Sequence, residues 1–279
     1  MKLKTVVYTS DKRTHFFKEI KAIFTDIRSS NFLAYQIAKR DIQAQYRQSV
    51  LGILWAFVTP MINAVVWIFL SASGAVAIPT DKLPYPLFVF IGTILWSVFT
   101  ESLNMPLIQT QAAKGLISKI NFPKEAILVA GFYKLLFNTS IKLIIVIIAL
   151  FVFKVNPGIN FLLGGVMIIF IMMFGVVFGM LITPIGMLYK DIGRGIPLAL
   201  SFLMYTAPVV YQEIKNPMIA KIVNINPLTP LINSARNTLT GYGFEQLPYL
   251  LGILGVTLII GLLGWIFYRV SIPIIVERM

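Results

Sequence analysis

"RDIQAQYRQSVLGILWAF", Arg40 to Phe57, changes character halfway. Arg40, Asp41, Gln43, Gln45, Arg47 and Gln48 crowd its first half; after Leu51 the chain turns apolar and stays so. A polar helix that passes through one Leu-Gly step into an apolar run of about 20 residues or more is a helix meeting a membrane span. Upstream, Phe16, Ile20, Ile23 and Ile27, with Phe17 and Phe24 alongside, recur at helical spacing. Ser29-Ser30-Asn31 is a natural N-cap cluster, so the pattern predicts two amphipathic helices with a break there. In the second, Tyr35, Ala38, Ile42 and Tyr46 form the apolar stripe, and Arg40 and Arg47 lie roughly opposite. Such a helix rests along a membrane face with its apolar side down.

The rest of the chain agrees. Of 279 residues, 57% are hydrophobic and 13% charged, against about 25% charged in soluble domains. Six apolar runs match the ~20 residues that cross a bilayer: Leu51–Ile78, Pro86–Leu103, Glu125–Phe153, Phe161–Leu188, Ile196–Tyr211 and Leu247–Tyr268. Lys39, Arg40, Arg47, Lys114, Lys119, Lys124, Lys190, Arg194, Arg269 and Arg278 fall on one side, against Lys82, Lys154, Lys215, Lys221 and Arg236 on the other. The richer side is cytoplasmic. The expectation is an all-α membrane protein of six spans with both termini inside, residues 1–50 forming a cytoplasmic segment and 51–279 the transmembrane domain. The first ~50 residues are polar, so no cleavable signal is expected there.

The net charge of +13 sits mainly at span edges, where it sets topology and meets anionic lipid, so nucleic acid is not the expected partner. No cysteine is present and His15 is the one histidine, which removes thiolate chemistry. No phosphate-binding loop of the G-x-x-x-x-G-K-[ST] type and no metal-ligand spacing occurs, so neither ATP nor a metal has an evident site. Asp41, Glu101, Glu125 and Asp191 are scattered single acids rather than an acid/base cluster, which disfavours a membrane transferase. Transport or a structural role remains.

Two lysines fall within the third run. Lys134 to Phe153 already spans about 30 Å as a helix, so Lys134 snorkels at the boundary, with Glu101 as a candidate partner. Lys142 lies about 12 Å deeper, where charges face protein or an aqueous cavity, and it has no evident acidic partner.

With these elements in order, the chain resembles the ABC-2 type permeases that export polysaccharides: O-antigen, capsule and teichoic acid. "RDIQAQYRQSVLGILWAFVTP" is similar to their approach to the first span, "IGTILWSVF" to the second, and "KGLISKINFPKEAI" to the cytoplasmic turn before the third. "LYKDIGRGIPLAL" is similar to the join of spans four and five, "YTAPVVY" to the end of the fifth, and "NINPLTPLINSARNTLTG" to the outward segment before the last. Residues 1–30 extend beyond many members and carry no assigned role.

The resemblance implies a permease of the cytoplasmic (inner) membrane, without catalysis of its own, working as a homodimer with two ATPase subunits that bind ATP and Mg. Its cargo would be a glycan on an undecaprenyl-type pyrophosphate. It implies a substrate gate at Arg40, Tyr46, Arg47, Leu51 and Gly52, where the arginines suit phosphate geometry and the glycine suits a tight turn. It implies ATPase coupling through Lys114 and Lys119 and through Asp191 and Arg194, and short helices dipping back from the outer face within Asn226 to Gly241. Trp55, Trp96, Tyr205 and Tyr211 are candidate rings along the glycan path, since shallow contact with rings lets a polymer slide. Export of another amphiphile or drug, or ion-coupled secondary transport, are the alternatives.

Overall fold

The computed structural model describes residues 16–47, 52–74, 83–120, 122–212, 216–244 and 246–278; all of its regular structure is helical. Helix α1 (Phe16–Arg47) is followed by a 3-10 turn (Gly52–Leu54) and α2 (Trp55–Ala72). Then come α3 (Tyr85–Ala112), the single turn α4 (Lys114–Ile117), α5 (Glu125–Val152), α6 (Asn160–Leu188) and α7 (Lys190–Met204). Two short helices, α8 (Pro217–Ile225) and α9 (Leu228–Leu239), precede α10 (Leu247–Arg278).

Among the described residues, four helices are long and apolar enough to cross a membrane: α3, α5, α6 and α10. The other two runs read as spans give shorter helices. Helix α2 ends at Ser73-Gly74, where Gly74 takes a φ of 74°. Helix α7 has 15 residues, about 22 Å, and stops four residues before Pro208, which cannot donate to a helical ladder and disfavours helix at the residue before it.

The expected break at Ser29-Ser30-Asn31 does not occur: α1 is continuous over 32 residues. The Ser29 and Ser30 hydroxyls bond back to the Asp26 carbonyl instead of capping a new helix. The face that meets the protein is offset from the stripe read as lying on the membrane. Tyr35 is exposed, and Ile23, Ser30, Ala34, Ile37 and Ala38 are buried. Small residues prevail because α1 lies against another helix: Ala34, Ile37 and Ala38 pack on Ala126 and Ala130 of α5.

The central pair is α3 and α6. Gly175 and Gly179, one turn apart on α6, let the backbones meet. A Cβ at Gly175 would lie 2.6 Å from the Ser102 Cβ, and one at Gly179 2.3 Å from the Leu103 carbonyl oxygen. Helix α10 closes on α6 in the same way, with Gly261 and Gly264 against Val177 and Leu181. Large apolar side chains stay exposed along α5 (Ile144, Ile148, Phe151) and α10 (Leu251, Ile259, Leu263). Apolar surface on this scale requires a hydrocarbon solvent or a partner.

Chain direction gives the bundle two ends. One gathers α1, α4, the start of α5, the ends of α3, α6 and α10, and the start of α7. The other holds α9, wedged against α3 and α6, with Leu231, Ile232, Ala235 and Leu239 fully buried. Asn160 at the start of α6 donates to the Gly241 carbonyl at 2.8 Å and fixes the end of α9 there.

Candidate functional site

Among the described residues, several polar contacts join separate helices at the α1 end. Arg269 of α10 reaches Asp26 of α1 at 2.7 Å and Glu125 of α5 at 2.5 Å, so one guanidinium holds three helices. Its neighbour Tyr268 shares a hydrogen bond with Thr110 of α3 at 2.8 Å. Asp41 accepts from Arg40 at 2.7 Å and from the Gln109 amide of α3 at 2.6 Å, which ties the last turns of α1 to the bundle. Lys124, ahead of α5, donates to the Phe122 carbonyl and sits over that ring. Burial pulls its ammonium below the usual lysine pKa, partly offset by Glu125.

A cleft of about 550 Å³ opens at this end between α1, α3, α5 and α7. Its polar lining is Gln45, Thr100, Glu101, Asn104, Gln109, Gln111, Lys134 and Asn138, with Leu107, Ile108, Leu135 and Pro197 as apolar wall. Gly131 and Gly193 also line it, Gly131 packed beneath the Met105 side chain. Sequence reasoning weighed Glu101 and Lys134 and missed the carboxamides, because single Asn and Gln residues on apolar helices carry no periodic signal.

Beyond the cleft, Lys142 of α5 is 2% exposed and paired with the cleft residue Glu101 of α3 at 2.5 Å. The acidic partner that the sequence did not offer Lys142 is therefore the residue considered for Lys134. The Glu101 side chain lines the cleft and is partly exposed, but its carboxylate turns inward: one oxygen meets Lys142 and the other is buried without a partner. The buried hydroxyls of Ser97 and Thr139 beside it have no protein partner.

The expected gate residues are only partly described. Arg40 and Arg47 are exposed near the end of α1. Gly52 has a φ of 48°, the left-handed region that glycine favours. Leu51, and the side chain of Tyr46, lie outside the described residues. The expected coupling residues sit on exposed turns: Lys114 half-buried and Lys119 exposed around α4, Asp191 and Arg194 exposed on the first turn of α7 and 3.9 Å apart. Of the four candidate rings, Trp55 and Tyr205 are exposed, Tyr211 is half-buried with its hydroxyl donating to the Tyr205 carbonyl, and Trp96 is 7% exposed beside Phe99. Tyr205 meets Trp67 of α2 edge to face, which joins the end of α7 to α2.

The opposite end is built differently. Arg236 of α9, counted above as an edge charge, is 2% exposed. Its guanidinium donates to the carbonyls of Pro208 and Val209 at 2.7 and 3.0 Å and stacks 3.7 Å from the Phe88 ring centre. Gly92 of α3 makes room: a Cβ there would lie 2.1 Å from the Val209 oxygen. Two stretches distant in sequence, "YTAPVVY" and "NSARNT", are thus one structural unit.

A bundle with four bilayer-length helices, apolar outer faces and buried paired charges is a polytopic membrane protein. The ABC-2 type transporter family profile matches residues 33–240, from α1 to the end of α9, and the chain belongs to that family. It is 25% identical over 227 residues to an O-antigen export system permease protein RfbA of Klebsiella pneumoniae, covering 78% of this chain and 85% of the relative. A protein of the same name from Myxococcus xanthus is 21% identical over 210 residues, covering 72% and 78%.

Proposed function

We propose that the chain is the membrane-spanning subunit of an ATP-driven exporter. It moves a lipid-linked polysaccharide from the cytoplasmic to the outer face of the cytoplasmic membrane, as a homodimer with two ATPase subunits. The observation that carries this reading is the family match from α1 through α9, together with relatives named for O-antigen export that align over most of their own length.

In this reading the chain crosses six times, through α2, α3, α5, α6, α7 with the residues up to 212, and α10. The α1 end is cytoplasmic. Helix α1 is the interface helix, and α8 and α9 belong to the outer side. The exposed turns with Lys114 and Lys119, and with Asp191 and Arg194, offer the ATPase mixed charge on short rigid loops. Arg40 and Arg47 meet the pyrophosphate, and the left-handed Gly52 aims α2 into the membrane beside them. The open rings of Trp55 and Tyr205, with Tyr211, face the sliding glycan, while Trp96 supports the wall from inside.

A buried Lys142–Glu101 pair also fits an ion-coupled transporter. Such sites are formed by broken helices, and α3 and α5 run unbroken past the pair, which favours the exporter.

Deleting the chain's gene is expected to trap lipid-linked glycan inside the cell, recovered by extraction and staining. The purified permease is expected to hydrolyse no ATP alone and to form a complex of two copies each with its ATPase. Surface glycan unchanged by the deletion would overturn the reading.

A further inference from the structure

The cleft at the α1 end has a lining that neither helix packing nor lipid contact requires. Gln45, Asn104, Gln109, Gln111 and Asn138 place five carboxamides around it, from three different helices. Each carboxamide combines two donors with an acceptor, the combination that matches hydroxyl groups, which also donate and accept. Two of them are preset by the protein. The Asn104 nitrogen donates to the Thr100 carbonyl at 2.8 Å, and the Gln109 nitrogen to Asp41 at 2.6 Å. Fixing the nitrogen orders the amide and leaves its carbonyl oxygen as an acceptor for a hydroxyl.

Charge points the same way. Among the described residues lining the cleft, Lys134 is the one cation and Glu101, committed to Lys142, the one anion. A phosphate or phospholipid headgroup calls for clustered Arg or Lys, which the lining lacks. Ile108, Leu107 and Pro197 add apolar wall, the counterpart of the C–H face of a pyranose ring. A volume of about 550 Å³ lies within the roughly 300–1,000 Å³ of small-molecule sites. Wall residues come from helices rather than loops, so the polar groups are held in place before any ligand arrives.

We infer that this cleft binds sugar units of the exported glycan through hydrogen bonds between its carboxamides and the sugar hydroxyls. The inference rests on the glycan-export reading above and adds to it a sugar-binding site between α1, α3, α5 and α7, apart from the arginines and rings of the gate.

The test uses the complete transporter in cells that make the glycan. The photoreactive residue p-benzoylphenylalanine replaces Ile108 in the cleft wall, or Ile144 on the exposed apolar face of α5 as a control. After illumination, adducts are digested and identified by mass spectrometry. A sugar-bearing adduct is expected at position 108 and none at 144. An adduct at 108 carrying phospholipid alone, or no adduct, overturns the inference.

The second arm is Asn104→Leu with Gln111→Leu. Surface glycan is expected to fall on the order of tenfold at equal permease level, the effect of losing one or two hydrogen bonds, with ATPase association unchanged. Asn104→Gln, which keeps the amide, is expected to restore export in the Gln111 wild-type background. Wild-type export from the double leucine variant overturns the inference. If gene deletion traps glycan while both arms fail, the cleft proposal alone falls; if deletion traps none, the export reading falls first.

Discussion

The two ends of the bundle hold their charges by opposite means. At the α9 end, Arg236 is closed in by two backbone carbonyls and a phenylalanine ring, with Gly92 shaved to admit it. At the α1 end, Arg40 pairs with its neighbour Asp41 within α1, and Arg269 forms partly exposed pairs across helices with Asp26 and Glu125, while Lys142 lies sealed deeper in the bundle against Glu101. The contrast separates a joint from a working surface. Carbonyls are fixed in the backbone, so a guanidinium bound to them locks α9 to the stretch after α7. Partly exposed side-chain pairs can exchange partners with water or ligand at modest cost, because exposed ion pairs contribute only about 0–1 kcal/mol.

The largest effect is expected at the locked end. Arg236→Leu removes both donors, leaving the Pro208 and Val209 carbonyls unmet in a dry site. The loss is about 3 kcal/mol or more, since charge-assisted bonds contribute roughly 1.5–3 each. A thermal unfolding scan in detergent would measure it, and a wild-type midpoint would erase the contrast between the ends. Gly92→Val should act on the same joint by a separate route, forcing Val209 away, and should not add fully to Arg236→Leu.

Next comes an asymmetry within the Lys142 pair. Glu101→Ala strands a buried ammonium and is expected to cost about 3–5 kcal/mol, the usual penalty for breaking a buried pair. Lys142→Met leaves the Glu101 carboxylate free to turn into the cleft that its side chain lines, and should cost less than half as much. Equal losses from the two variants would mean that the cleft gives Glu101 no relief.

At Gly52 the effect is smaller and of backbone origin. Nothing lies within 4 Å of a Cβ built there, so only the φ of 48° is at stake. Gly52→Asn, which tolerates left-handed backbone, should export nearly as well as wild type. Gly52→Val should retain glycan inside while the complex still assembles. Identical export by the two variants would remove the backbone argument. The smallest effect on folding is expected from Asp191→Ala with Arg194→Ala, within about 0.5 kcal/mol for an exposed pair. The same variant should weaken ATPase co-purification, and unimpaired co-purification would take these residues out of the coupling surface.

Much of the architecture was legible in the sequence. Hydropathy located α3, α5, α6 and α10, and the quoted motifs placed the chain in its family. These signals are sums over local windows, and bilayer length and helical period act locally. The same locality explains the misses. Ser29-Ser30-Asn31 reads as a cap, but a serine hydroxyl is equally able to bond back one turn, and the packing of Ala34 and Ala38 on α5 keeps the helix running. The Tyr35 stripe reads as the face that lies on the membrane, and which face meets α5 is not legible, because a helix partner accepts small residues at close approach.

By itself the sequence marked the apolar runs that become α3, α5, α6 and α10, and placed Lys142 well inside one of them. Tertiary structure decided the partners. Lys134 and Lys142 are eight residues apart, about 80° around the helix, and either is a reasonable mate for Glu101 until the rotation and axial offset of α3 against α5 are set. Those offsets are fixed by contacts elsewhere, such as Gly131 beneath Met105 and Gly175 against Ser102, so pairings at Lys142, Arg236 and Arg269 follow from how whole helices seat, a property no window of sequence contains.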